Sequence, residues 1–163
     1  MFEIDNLVIH SREGLSKIAG INQMNGRDYF LVTVFRSSGE NIYVPVENAE
    51  RIIRPLMSKG EADDLLLFIK GIEKEFNTNT KQRRDAYKRR LSSGDVKDIA
   101  YLYRQLYFYN LIGGEENEEI KLGPVDLDML GFAQNMLMDE LSIVYNVPRE
   151  DTLNFVNDRI LHL

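Results

Sequence analysis

The side chains in this sequence most suited to a binding function are clustered cations that could hold the phosphates of a polyanion. Residues 81–104 contain eight Lys or Arg against three Asp or Glu, whereas the whole chain of 163 residues has a net charge of −6. Cations gain affinity for nucleic acid by releasing the counterions condensed on its phosphates. A run of charge is also typical of a solvated helix face. The candidate DNA-binding residues here are Lys81, Arg83, Arg84, Lys88 and Arg90.

Groups that could catalyse a reaction or hold a metal are scarce. The chain has two His and no Cys, which excludes disulfides and a thiol nucleophile. Neither His10 nor His162 has a metal-ligand partner at helical spacing, and we find no phosphate loop, no dinucleotide-binding glycine motif and no serine nucleophile elbow. We therefore predict that the protein is not an enzyme, with no catalytic residues, no metal and no cofactor.

The first 56 residues have the short apolar runs and glycine turns of β-strands. The predicted strands are 7–9, 14–21, 29–35 and 42–46. Pro45 has no N–H to give to a sheet, so its strand is expected at an edge or at a bulge. Short strands at regular spacing predict a small, strongly bent barrel over residues 1–56.

Near Ser58 the apolar period changes from two to 3.6, which predicts helices for the rest of the chain. We predict a helix over 59–76 that packs on either half, a polar hinge at 77–80 and a helical, DNA-contacting domain over 77–163. Residues 113–119 are expected to form an acidic loop, since they contain four Glu and two Gly. The expected fold class is α+β, with the barrel first and the helical domain after it.

The sequence also predicts where the protein is found. The N-terminus lacks the basic start and apolar stretch of a signal peptide. No apolar run reaches the roughly 18 residues that a membrane span needs. We therefore expect a cytoplasmic protein with no membrane contact, and we expect a monomer.

Several short motifs follow one another along the chain in a recognisable order. They are Leu-Val-Ile at 7–9, Tyr-Phe-Leu-Val at 29–32, Val-Pro-Val-Glu-Asn-Ala-Glu at 44–50, Arg-Pro-Leu at 54–56, Ser-Gly-Asp at 93–95 and Tyr-Arg-Gln-Leu at 103–106. In this order they resemble the CarD-type transcriptional regulators of bacteria. The resemblance extends over nearly the whole chain.

The resemblance implies a fold and two partners. The N-terminal module would be a Tudor-like barrel that binds the β subunit of bacterial RNA polymerase, with Arg27, Asn41 and Tyr43 as the binding residues. The helical module would contact promoter DNA weakly and without sequence preference, at the upstream edge of the melted bubble. The expected result is altered stability of the open promoter complex, in a protein that reaches the nucleoid through polymerase.

One departure from the family pattern bears directly on the expected contact with DNA. The family's Trp, which wedges into the minor groove, falls on Thr80, and the chain contains no Trp. Apolar wedges of that kind stabilise kinked DNA, and Thr80 cannot offer a comparable area. Two interpretations follow. Either Thr80 and the cations after it still contact DNA, or the protein is a polymerase-bound interaction module with little or no DNA role.

Overall fold

The computed structural model describes residues 1–37, 39–116 and 120–162, and at 112–116 and 162 it describes the backbone alone. The chain divides into two compact units, Met1–Ser58 and Lys59–Leu163. The described strands all lie in the first unit and the described α-helices in the second. We call them the strand unit and the helical unit. Strands are followed by helices, which confirms the predicted α+β class.

The strand unit, where the structure describes it, is one antiparallel sheet. Its strands are β1 (Leu7–His10), β2 (Gly14–Met24), β3 (Arg27–Val34), β4 (Asn41–Pro45) and β5 (Ile53–Pro55), and a short 3-10 helix spans Ala49–Arg51. The order across the sheet is β4-β3-β2-β1-β5. β2 and β3 run beyond the predicted limits of 21 and 29, because a two-residue turn, Asn25-Gly26, joins them. Both turn residues have positive φ, 50° and 74°, which matches the twist of a hairpin.

One hydrophobic core is shared by the strands at both ends of the sheet order. Val44 of β4 and Ile53 of β5 belong to the same buried cluster as Val8 and Ile18. Neighbouring strands lie about 4.8 Å apart, so the outer strands of a flat sheet of this order would be roughly 19 Å from each other. The sheet must therefore curl around its core. A register irregularity between Ile18 and Gly20 gives β2 a place to bend.

The helical unit packs its helices through apolar faces. Its described helices are α1 (Lys59–Gly71), α2 (Thr80–Ser93), α3 (Val96–Glu116), α4 (Pro124–Val144) and α5 (Arg149–His162). The buried side chains include Ala62, Leu65, Leu66 and Ile69 of α1, Ile99, Ala100, Tyr103 and Leu106 of α3, Leu130, Ala133, Leu137 and Leu141 of α4, and Val156 and Ile160 of α5. Burial of apolar residues along each of these helices is what the apolar period of 3.6 after Ser58 predicts. None of the described helices is both long and apolar enough to cross a membrane.

α1 ends at Gly71, and the prediction of a helix over 59–76 is wrong at its C-terminal end. The cause is a side chain of α3. Gln105 is buried, its Nε2 donates to the carbonyl oxygen of Glu73, and its Oε1 accepts from the N–H of Glu75 at 2.9 Å. These bonds satisfy the backbone in a non-helical conformation, so the helix does not continue.

α2 begins earlier than the predicted hinge allows. The side-chain oxygen of Asn79 accepts from the N–H of Gln82 at 3.0 Å, which is a helix N-cap. Thr80 is therefore the first residue of α2 and is not part of a hinge; the non-helical residues before it are 72–79.

The expected acidic loop is partly helical. Residues 113–116 belong to the last turn of α3, which corrects the loop prediction there. The remaining residues of that prediction, 117–119, lie outside the described residues.

Candidate functional site

β4 forms one end of the sheet, and alternate backbone groups along it point away from β3. The register pairs Tyr29 with Pro45, and one step further the N–H of Val46 donates to the carbonyl oxygen of Asp28 at 3.0 Å. In an antiparallel ladder, residues between such hydrogen-bonded pairs turn their N–H and C=O groups to the opposite side. Residues 41, 43 and 45 lie between the hydrogen-bonded pairs, so their backbone groups point away from β3. Asn41 and Tyr43 therefore present backbone donors and acceptors at the open edge of β4.

The backbone of Pro45, like that of Asn41 and Tyr43, faces the open edge and not β3. The N–H that a proline lacks would thus have pointed to the open edge, and its absence costs the β3–β4 ladder no hydrogen bond. The strand pairs regularly with β3 from 41 to 45. The edge position expected from Pro45 is confirmed.

The three predicted polymerase-binding side chains lie on the outer face of β3 and β4. Tyr43 is 47% exposed and lies opposite Leu31. Asn41 lies opposite Thr33, whose hydroxyl donates to its Oδ1 at 2.9 Å. Arg27 is exposed at the start of β3, beside the hairpin turn. The structure therefore places Asn41 and Tyr43 next to one another on the edge strand, and Arg27 at the far end of the same face.

An exposed row of cations runs along α2. Lys81, Arg84 and Lys88 are exposed and are spaced three and four residues apart, which places them on one side of the helix. We call these three residues the basic stripe. Among the described residues we find no ion-pair partner for them. Arg89 is also exposed; our sequence prediction omitted it although it lies in the same Lys-Arg-Arg run.

Arg83 and Arg90, the other two predicted DNA-contacting cations, use their guanidinium groups inside the helical unit. Nη1 of Arg90 lies 2.6 Å from Oδ1 of Asp98, and its guanidinium carbon lies 3.6 Å from the centroid of the Tyr101 ring. Arg83 forms an ion pair with Asp126. The two arginines are seven residues apart, so they lie on the same face of α2, turned away from the basic stripe.

The ion pair of Arg83 is the centre of a buried network that we call the Asp126 cluster, consisting of Arg83, Tyr87, Gly123 and Asp126. Nε and Nη2 of Arg83 donate to the two carboxylate oxygens of Asp126 at 2.8 and 2.9 Å. The Tyr87 hydroxyl donates to the same carboxylate, and so does the N–H of Gly123, at 2.9 Å. Only 3% of the Asp126 side chain and 11% of the Arg83 side chain are exposed. The cluster joins the start of α2 to the start of α4.

The cluster keeps Asp126 ionised. Burial by itself would raise the pKa of Asp126, but hydrogen bonds from Arg83, Tyr87 and Gly123 outweigh it, and the pKa is lowered from 3.8. Burial, followed by the hydrogen bond to Asp126, raises the pKa of Tyr87, so its hydroxyl remains a donor. The position of Asp126 at the start of a helix also favours its negative charge.

Arg83 has a third link, to the segment before α2. Its Nη1 donates to the carbonyl oxygen of Asn77 at 2.9 Å, and its guanidinium carbon lies 4.7 Å from the centroid of the Phe76 ring. Each of its three guanidinium nitrogens thus has a partner within the helical unit. Thr80, three residues earlier, is exposed at the first position of α2.

Two comparisons with protein families cover the two units in turn. The model of the CarD, C-terminal domain matches residues 64–157, which is more than half of the chain. The chain belongs to the CarD family. The model of the CarD-like/TRCF RID domain matches residues 2–57, within the strand unit. These CarD matches confirm the resemblance drawn from the order of the motifs.

Membership of the CarD-like family defines the class of protein. The RID domain is an RNA polymerase β-interaction domain of Tudor-like fold, and CarD-like proteins are non-enzymatic regulators of transcription. The chain is therefore a transcription-associated protein. In the part of this CarD-like chain that the structure describes, no group of three or more His, Cys, Asp or Glu is arranged to hold a metal ion.

Proposed function

We propose that this protein regulates transcription by binding the β subunit of RNA polymerase through the open edge of β4, while the basic stripe contacts promoter DNA. The observation that carries the proposal is the edge strand of a RID domain with an exposed Tyr43 and outward-facing backbone groups. The DNA contact would be weak and independent of sequence. Its effect would be on the stability of the open promoter complex.

The edge of β4 supports docking by strand addition. A partner strand gains main-chain hydrogen bonds from Asn41 and Tyr43, and exposed side chains on the same strand supply specificity. Tyr is favoured at interface hot spots because it offers a large contact area together with a hydroxyl. Arg27 would add a contact at the other end of the face.

The polymerase half of the proposal is tested by capture of the β subunit with Tyr43→Ala. We expect capture to fall at least tenfold, since truncation of a hot-spot residue costs about 2 kcal/mol or more. Ile21→Ala is the matched control, because Ile21 is 49% exposed on a strand that is not at the edge, and it should change capture little. Equal capture by folded Tyr43→Ala and wild type would remove Tyr43 from the interface.

The basic stripe supports the DNA half of the proposal. Lys81, Arg84 and Lys88 project from one exposed face, as cations must to reach successive phosphates. With three such side chains, the affinity should fall with salt as expected for about three phosphate contacts, a log–log slope of roughly −2.7. The slope should be the same on unrelated duplexes, because phosphate contacts carry no sequence information.

Reversing charges on the stripe tests this half. Lys81→Glu with Arg84→Glu should weaken binding to every duplex and flatten the salt slope. Lys59→Glu with Lys70→Glu is the matched control, since it makes the same change in net charge at exposed positions of α1. If both double variants weakened binding equally, overall charge would explain the result and the stripe would have no special role.

The alternative function, a polymerase-bound interaction module with little or no DNA role, has its own support. Thr80 replaces the family's Trp, and Arg83 and Arg90 are used inside the helical unit. Footprinting on promoter complexes separates the two functions. Protection of upstream DNA that disappears with Lys81→Glu and Arg84→Glu favours the DNA-contacting regulator. Polymerase capture without any such protection favours the module.

A further inference from the structure

The helix that carries the proposed DNA-contacting cations is bound to a buried carboxylate, that of Asp126. We propose that Asp126 is the positioning residue of the basic stripe, so that DNA binding depends on this carboxylate although its charge is opposite to the one DNA attracts. The inference rests on the proposed contact between the stripe and DNA. It concerns how the stripe is held and not which side chains contact the phosphates.

The geometry of the Asp126 cluster fixes the rotation of α2 about its own axis. Arg83 lies between Lys81 and Arg84 in the sequence but faces inward, where two parallel hydrogen bonds hold its planar guanidinium against the carboxylate. Tyr87, one turn further along, donates to the same carboxylate. Two attachment points one turn apart define both the rotation and the axial position of the helix.

α2 has few buried apolar side chains to hold it in register. Tyr87 is its one buried residue among those described, and the remainder of the helix is largely charged and polar. An amphipathic helix is normally oriented by a wide apolar stripe, which α2 lacks. The Arg90–Asp98 ion pair holds the C-terminal half of the helix. The half that carries Lys81 and Arg84 is therefore oriented mainly by the Asp126 cluster.

The carboxylate is itself fixed by the helix that carries it. Asp126 lies in the first turn of α4 and accepts from the N–H of Gly123, the residue that caps that helix. Helix starts hold a negative charge favourably. The backbone at the start of α4 thus holds the Asp126 carboxylate in place, and α2 binds this carboxylate through Arg83 and Tyr87.

Electrostatics and positioning predict opposite changes in DNA affinity when the charge of Asp126 is removed. Asp126→Asn removes one negative charge from an acidic protein, so electrostatics alone predicts tighter DNA binding. Positioning predicts weaker binding, by about eightfold at about 0.1 M salt and with a slope flatter by about 0.9, which corresponds to one phosphate contact. The measurement is fluorescence anisotropy of the full chain with a labelled duplex across a salt series.

Asp128→Asn is the matched control. Asp128 lies two residues later on α4, is exposed, and loses the same charge on substitution. It should bind DNA as tightly as wild type or slightly tighter. Circular dichroism at each salt concentration measures the folded fraction, so a flatter slope of the folded protein is distinguished from partial unfolding.

Tyr87→Phe keeps the inference testable if Asp126→Asn fails to fold, as removal of one partner of a buried pair can cause. This variant changes no charge, retains the ring and leaves the Arg83 ion pair in place. Its loss of affinity should be smaller, about twofold to threefold, because one of the four hydrogen bonds to the Asp126 carboxylate is removed and the other three remain. Wild-type affinity and slope in Tyr87→Phe and in any folded Asp126→Asn would overturn the inference.

The stripe variants distinguish failure of this inference from failure of the proposed function. If Lys81→Glu with Arg84→Glu leaves DNA binding unchanged, the stripe is not the contact surface, and both the DNA proposal and the positioning role are overturned. If that double variant weakens binding while Asp126→Asn and Tyr87→Phe do not, the DNA proposal stands and the positioning role alone is overturned.

Discussion

Thr80 occupies the first position of α2 with its side chain exposed, at the place where the family resemblance expects a Trp. We predict that Thr80→Trp lengthens the half-life of the open promoter complex. An aromatic ring stacked on a base contributes about 1–3 kcal/mol, and the Asn79 cap is left intact. The measurement is the decay of open complexes on cognate polymerase after addition of a competitor.

Thr78→Trp is the control for that experiment, since Thr78 is exposed but lies before the helix. It should leave the half-life unchanged. An unchanged half-life for Thr80→Trp, or an equal gain from both substitutions, would show that position 80 has no wedge function in this protein.

His10 is a buried side chain whose ring accepts hydrogen bonds from the turn after β1. Its Nδ1 accepts from the N–H groups of Arg12 and Glu13, both at 3.2 Å. Burial, opposed by Glu13 and assisted by Arg12, lowers the pKa of His10 from 6.5. Protonation would place a hydrogen on Nδ1 and break both bonds.

The lowered pKa predicts that stability is lost on the acid side. Below about pH 6.5 the unfolded chain binds a proton at His10 that the folded chain resists, so the free energy of unfolding should fall as the pH decreases from 7.5 to 5.5. In His10→Asn, whose Oδ1 can accept the same bonds, this fall should be smaller. Urea unfolding at both pH values measures it, and an equal fall in the two proteins would exclude His10 as its cause.

At the scale of the element, α2 has two faces whose cations should respond differently to substitution. Arg83→Ala leaves the carboxylate of Asp126 buried without its cation, so we expect a loss of about 3–5 kcal/mol in the free energy of unfolding. Lys88→Ala removes an exposed cation and should change it by no more than about 0.5 kcal/mol. Urea unfolding of both variants measures these changes. Equal changes would contradict the assignment of Arg83 to the inward face and of Lys88 to the exposed face.

The faces of α2 were partly accessible from the sequence. Tyr87 is recognisable as an inward residue, and Arg83 and Arg90 lie four residues before it and three after it, on the same side of a helix. This spacing could have separated them from Lys81 and Lys88. It could not have separated them from Arg84, which lies three residues before Tyr87 and which the structure shows to be exposed. The acid that receives Arg83 could not be found in this way, because Asp126 lies far along the chain and no local spacing relates it to α2.

The boundaries of elements show the same limit. The helical character of α3 and α4 follows from the apolar period alone, and the structure confirms it. The end of α1 depends on Gln105, a residue of another helix, so the apolar residues after Gly71 predicted a continuation that does not occur. By contrast, Asn25-Gly26 is a strong local hairpin motif, and using it would have extended β2 and β3 correctly.

At the scale of the whole molecule, each unit has a core of its own, so the two halves should separate as fragments. We predict that the fragment 59–163 is helical and retains salt-dependent DNA binding without capturing polymerase. The fragment 1–58 should be a β-protein that captures the β subunit and does not bind DNA. Circular dichroism and the two binding assays test both, with the full chain as control.

The strand fragment is the more demanding half of that prediction. A domain of about 60 residues buries only about 60% of the surface of its unfolded chain, so its stability is marginal. Low temperature or a docked partner strand should favour its folding. Substantial helix in this fragment, or polymerase capture by 59–163, would contradict the division of roles between the units.

The position of Pro45 at the open edge of β4 makes addition of further copies of this strand less favourable. A sheet edge is also a template for aggregation, since another copy of the same strand can add to it and expose a new edge in turn. β4 is only five residues long, and of its three outward positions Pro45 offers no donor. An identical strand added there would gain fewer main-chain hydrogen bonds than it would at an edge without proline, and it would bring no further contact to compensate. We therefore expect the edge to stay available to a partner that brings a matching surface.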